Sequence, residues 1–146
     1  MRIDQPSISC PPATTALRQS IEQSMDDRIQ SSEWMLSLLP DTVYCQASLV
    51  DVGAGCGALL LAAAAKGIRS GVGIEPFPFD CEKGIFDPAY PHLTREAFRS
   101  LAGKPARNQA TLVMIDAFAE QADFLGPSFD ICTVFDVMEH VADVQA

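Results

Sequence analysis

The stretch "LVDVGAGCGALLLAAAAKG", Leu49 to Gly67, constrains this chain more than any other. An apolar run reaches a carboxylate, passes three alternating glycines and continues into an alanine-rich segment. Ser48 to Val52 is short and continuously apolar apart from Asp51, which predicts a buried strand. Ala58 to Lys66 predicts a helix, ended by Gly67 at the left-handed cap position with Lys66 at the negative end of the helix dipole. A glycine loop joining a strand to a helix brings backbone N–H groups close to whatever lies above it. The run Ala62 to Ala65 reflects helix propensity and close packing on a sheet.

The same alternation continues downstream. Gly71 to Ile74 and Thr111 to Ile115 read as strands, Leu93 to Ala102 as a helix and Asp130 to Phe135 as a further strand. Continuous rather than alternating apolar strands, separated by helices, predict an α/β fold: a Rossmann-like parallel sheet with helices on both faces. Upstream, Leu17, Ile21, Met25 and Ile29 recur every fourth residue and predict an amphipathic helix, with Thr15 as its N-cap. Trp34, Met35, Leu38 and Leu39 form a second apolar cluster expected in the core, and Ser31 and Ser32 are expected to divide the two helices. Residues 1–14, with three prolines, are expected to be a flexible N-terminal arm, leaving 15–146 as one domain.

Composition narrows the partners. A formal charge of −9 with only ten Lys and Arg argues against nucleic acid, which is held by clustered basic residues. The glycines and Asp51 interrupt the longest apolar run well short of the roughly 20 residues of a membrane span. Five cysteines, Cys10, Cys45, Cys56, Cys81 and Cys132, contain no CxxC pair and follow no secretory signal, so reduced thiols in the cytoplasm are expected and no metal site. Cys56, inside the loop, reads as a small filler.

Two ligand classes suit the loop. Gly53, Gly55 and Ala58 satisfy G-x-G-x-x-A, with Glu75 about 20 residues on to hold a ribose diol, as in NAD(P)-dependent oxidoreductases. Alternatively, Asp51 with Gly53, Gly55 and Gly57 forms D-x-G-x-G-x-G. A buried carboxylate repels a pyrophosphate and attracts a ligand carrying sulfonium and ammonium groups.

On that second pattern, "LVDVGAGCG" resembles motif I of the class I S-adenosylmethionine-dependent methyltransferases. "GVGIEP", Gly71 to Pro76, is similar to the second-strand motif, whose acidic residue, here Glu75, accepts from both ribose hydroxyls. "TLVMIDAF", Thr111 to Phe118, resembles the third-strand motif, in which Asp116 would accept from the adenine amino group and the Ala117 backbone would border the ring. "FDICTVFDVMEHV", Phe129 to Val141, resembles the fourth strand and its exit, with the "EHV" ending of many small-molecule methyltransferases. The resemblance covers Leu49 to Val141. It implies S-adenosyl-L-methionine as cofactor, a small-molecule methyl acceptor, and Asp136 either near the methionyl ammonium or capping a helix. His140 is then the candidate general base, although a packing or capping histidine is the plainer reading. Glu139 is a weaker candidate. "DPAY", Asp87 to Tyr90, lies ahead of the third strand and reads as a proline turn.

Family members carry seven strands in the order 3-2-1-4-5-7-6. Only the first four have counterparts here, so the chain is expected to be the N-terminal, cofactor-binding half of the domain, a fragment whose C-terminal half is missing. Its open sheet edge would need an oligomer or partner chain to cover it. A non-catalytic module that binds the cofactor is the other outcome of that departure.

Overall fold

The computed structural model describes residues 15–76, 91–121 and 128–135. Helix α1 runs from Thr15 to Leu36 without interruption. Its buried stripe is Ile21, Met25, Ile29, Ser32 and Leu36, at helical spacing throughout. The expected division at Ser31 and Ser32 does not occur. Both hydroxyls turn back along the helix, Ser31 Oγ donating to the Asp27 carbonyl at 3.2 Å and Ser32 Oγ to that of Arg28 at 2.9 Å. Trp34 also departs from expectation: continuing the stripe through Leu36 leaves it off the buried face, at 69% exposure, with Leu38 and Leu39 exposed beside it. Thr15, expected as the N-cap, is itself helical. At the other end Tyr44, fully buried, donates its hydroxyl to the Leu36 carbonyl at 2.7 Å and so satisfies the helix's last turn.

The sheet contains β1 (Ser48–Val52), β2 (Ser70–Glu75), β3 (Thr111–Asp116) and β4 (Ile131–Val134), all parallel, in the order β3-β2-β1-β4. Between β1 and β2 lies α2 (Ala58–Ala65), and between β2 and β3 lies α3 (Pro91–Ala102). Every residue of α2 except Ala65 is buried. Its alanines bring it close to the sheet, and Gly71 and Gly73 of β2 complete the fit. A Cβ at Gly71 would lie 3.1 Å from Leu60 and Leu112 side-chain carbons. After α2, Gly67 takes φ 95° and turns the chain into β2, while Lys66 pairs with Asp41 and stands over the Tyr44 ring.

The strands pair in register, so alternate residues divide cleanly between two faces. Leu49, Asp51, Gly71, Gly73, Leu112, Met114, Ile131 and Thr133 share the face on which α2 and α3 pack, with α1 against both helices. Helices were expected on both faces; those among the described residues occupy one. The reason is topological. The β1-α2-β2 and β2-α3-β3 crossovers step in the same direction across the sheet, and right-handed connections then put both helices on the same side. Only the β3 to β4 connection reverses direction, and its described residues include one helical element, the 3₁₀ turn Ala119–Gln121. The second face shows Val113, Ile115 and Val134 at 46%, 39% and 44% exposure. No helix among the described residues is long and apolar enough to cross a membrane.

Candidate functional site

Strand order reverses between β1 and β4, and in open parallel sheets ligands usually lie outside the carboxyl ends of the strands at such a point. The loop Gly53 to Gly57 leaves β1 there. The Gly53 and Ala54 amides both donate to the Ile74 carbonyl, at 2.8 and 3.1 Å, which ties the start of the loop to the end of β2. Gly57 donates to the Ala54 carbonyl at 2.8 Å and closes the turn. Glycine is required there twice over: φ is 79°, and a Cβ would lie 2.5 Å from Cε2 of Phe98 on α3. Gly73 matters for a related reason, since a Cβ on it would stand 2.8 Å from the Ala54 Cβ and 2.5 Å from the Met114 sulfur.

A further loop amide is held by a side chain. Gly55 N–H donates to Glu75 Oε2 at 3.1 Å. Glu75 rather than Asp51 accepts from this amide, because the Asp51 side chain lies below the loop on the helix-covered face. Asp51 is 4% exposed. Its Oδ1 accepts from the Thr133 hydroxyl at 2.7 Å, across the β1–β4 pair in which the two residues are register partners. Burial pushes the Asp51 carboxyl up to about 6, the Thr133 hydrogen bond pulling it down and the nearby Glu75 charge pushing it further up.

Glu75 and Asp116 are themselves register partners at the ends of β2 and β3, so both carboxylates stand on one edge of the sheet. Ala117 follows, half-buried, and then the exposed Phe118. The structure thus gathers Asp51, Gly53, Gly55, Gly57 and Glu75 around one loop and sets Asp116 and Ala117 along the same rim. Asp136, Glu139, His140, "DPAY", Cys10 and Cys81 lie outside the described residues. Cys56 is buried within the loop, as a filler would be. Among the described residues no three His, Cys, Asp or Glu side chains cluster as a metal site requires.

Thr133, Gly73 and Phe98 carry the site's geometry, and the sequence reading singled out none of them. Gly73 had a signal, since an isolated glycine within a strand marks close approach of another backbone. Thr133 was detectable only through register: nothing in "ICTV" says which residue of β1 it will face.

The rim is electrostatically one-sided. Residues 51–58, 73–76, 115–118 and 133–135 contain three carboxylates and no Lys, Arg or His. The Gly53, Ala54, Gly55 and Gly57 amides already have acceptors within the protein. Such a rim suits a ligand with positive charge and hydroxyl or amino donors better than a polyanion. No protein-family model matches the sequence, and no curated protein matches it.

Proposed function

We propose that the chain binds S-adenosyl-L-methionine and serves methyl transfer to a small-molecule acceptor. One observation carries the reading: a buried carboxylate, Asp51, stands under a glycine loop whose Gly53, Ala54, Gly55 and Gly57 amides are engaged internally, beside a second carboxylate and with no basic residue among 51–58, 73–76, 115–118 and 133–135. Desolvating that carboxylate is unfavourable by itself, and a cationic ligand offsets the cost. A pyrophosphate would meet the opposite field.

In this reading Asp51 lies toward the methionyl ammonium, Glu75 accepts from the ribose hydroxyls, Asp116 accepts from the adenine amino group and the Ala117 backbone borders the ring. Gly53, Gly55 and Gly57 let the ligand approach the loop closely. The cofactor, when bound, supplies a methyl group on positively charged sulfur. The chain's residues hold and orient it, and the chemistry needs alignment and exclusion of water more than side-chain acids and bases. Asp136 is offered for ammonium contact or a helix cap, and His140 is the candidate general base, with packing or capping its plainer role. In this reading the four parallel strands stand as the first four of the family's seven, and a cytoplasmic setting suits the reduced thiols of Cys45, Cys56 and Cys132.

Calorimetric titration with S-adenosylhomocysteine and, separately, with NADH tests the reading. Saturable binding of S-adenosylhomocysteine is expected, weakening as pH falls below about 6 and Asp51 takes up a proton. Binding of NADH alone would replace the proposal with the dinucleotide one.

A further inference from the structure

Thr133 has a hydroxyl with one proton and two acceptors in reach. Its Oγ1 lies 2.7 Å from Asp51 Oδ1 and 3.3 Å from the Val50 carbonyl. β-Branching restricts its χ1, and parallel pairing of β4 with β1 fixes its backbone opposite Asp51. We propose that Thr133 is the positioning residue of this site: its hydroxyl aims the Asp51 carboxylate and, by turning its proton between Asp51 and the Val50 carbonyl, accommodates both protonation states of Asp51. The proposal rests on the cofactor reading for its functional meaning.

The hydrogen bonds balance in each state. With Asp51 ionised, Thr133 donates to Oδ1. When Asp51 takes a proton from solvent, its own O–H can donate to Thr133 Oγ1, and the threonine proton turns to the Val50 carbonyl. A valine would remove both arrangements while keeping the shape. The surroundings add few other influences. β2 contributes Glu75, whose charge opposes ionisation of Asp51, and beyond it β3 contributes Asp116 at the rim. The loop contributes the Cys56 thiol; α2, "ALLLAAAA", and the described part of β4, "ICTV", contribute no charge. α3, packed on the same face, carries His92, Arg95, Glu96 and Arg99, with Glu96 paired to Arg18. Thr133 is the side chain hydrogen-bonded to Asp51 that favours its charged form, and it sets how far toward neutral pH the cation-binding charge persists.

The test follows the Asp51 carboxyl carbon by NMR through a pH titration of the full chain, in the wild type, Thr133→Val and Thr133→Ser. Loss of a hydrogen bond to an ionised acceptor predicts an upward shift of the Asp51 midpoint by about one unit in Thr133→Val. Serine should restore most of it. In parallel, S-adenosylhomocysteine affinity should fall about fivefold near pH 6 in the valine variant and much less at pH 8, because at the higher pH both proteins are ionised. An unchanged midpoint in folded Thr133→Val overturns the proposal. If the valine variant does not fold, Thr133→Ala read in the same titration decides it by the same criterion. A wild type that binds no S-adenosylhomocysteine overturns the cofactor reading, while the titration still decides whether Thr133 governs Asp51.

Discussion

The β1–β4 pair carries a hydroxyl opposite a carboxylate at each of its ends, with the roles exchanged. At the amino end β1 supplies the hydroxyl, Ser48, and the residue preceding β4 supplies the acid, Asp130. The Asp130 carboxylate accepts from the Ser48 amide at 2.7 Å and from its hydroxyl at 2.8 Å, with Arg69 at 3.6 Å. At the carboxyl end β1 supplies the acid, Asp51, and β4 the hydroxyl, Thr133. The Ser48 amide, then its hydroxyl and Arg69, hold the exposed Asp130 below the usual carboxylate range; burial and Glu75 hold Asp51 above it. The same pair of groups is thus a clamp where donors outnumber the acid's needs, and a charged site in waiting where they do not.

The largest test of that contrast is Asp51→Asn. Because native Asp51 titrates near 6 against an ordinary 3.8, the folded protein binds more protons than the unfolded chain between these values, so Asp51 makes stability fall as pH rises through the window. Above it the penalty is constant, and about two units correspond to roughly 3 kcal/mol. Asparagine keeps the shape and the acceptor for Thr133. Urea unfolding at pH 7 should therefore find unliganded Asp51→Asn more stable than the wild type by up to about 3 kcal/mol, with the gain vanishing near pH 4. S-adenosylhomocysteine affinity should drop at least tenfold in the same protein. An asparagine variant that is less stable at pH 7 would mean that Asp51 is a structural clamp like Asp130.

Gly73→Ala sharpens the contrast from the backbone side. The new methyl would enter space held by the Met114 sulfur, the Ala54 Cβ and Leu60 Cδ1 at 2.5, 2.8 and 3.0 Å. The methionine end can move, but Ala54 belongs to the loop and moves only with it. Overpacking of this kind costs about 1–3 kcal/mol. Thermal unfolding should show that loss, and calorimetry should show weaker ligand binding. Lost stability with unchanged affinity would show that the loop's seating on β2 is irrelevant to the site.

Much of this was legible in the sequence because it rests on local rules. The glycine loop, the capping Gly67 and the apolar runs "SLV", "GVGI" and "TLVMI" each announce an element, and their alternation gives a parallel sheet. Other features depend on phase or on partners distant in the chain. Trp34 looked like core because aromatic residues usually are, yet the stripe through Ile29, Ser32 and Leu36 had already assigned the buried side. Ser31 and Ser32 looked like a break because nothing local says that their hydroxyls will bond backward. Thr133 became meaningful only once residue 133 was paired with residue 51.

The smallest expected effect lies at the amino end of the pair. Ser48→Ala keeps the backbone amide that binds Asp130 and removes the buried hydroxyl, which both donates to Oδ2 and accepts from the Asp130 amide at 3.1 Å. Losing the Ser48 hydroxyl costs about 1 kcal/mol at neutral pH. Asp130 is held below its ordinary value, so its contribution is present above that value and is lost as pH falls through the lowered one. With one donor gone, the gap narrows, and stability should vary less with pH on the acid side in Ser48→Ala than in the wild type. Ligand affinity should stay the same, since Ser48 opens the five-residue strand and Asp51 lies three residues on, near its carboxyl end. Urea unfolding from pH 3 to 7, with calorimetry at pH 7, reads both quantities. A fall in affinity here would mean that the two ends of the β1–β4 pair are mechanically coupled, and that the clamp at Asp130 helps to set the register on which Thr133 and Asp51 meet.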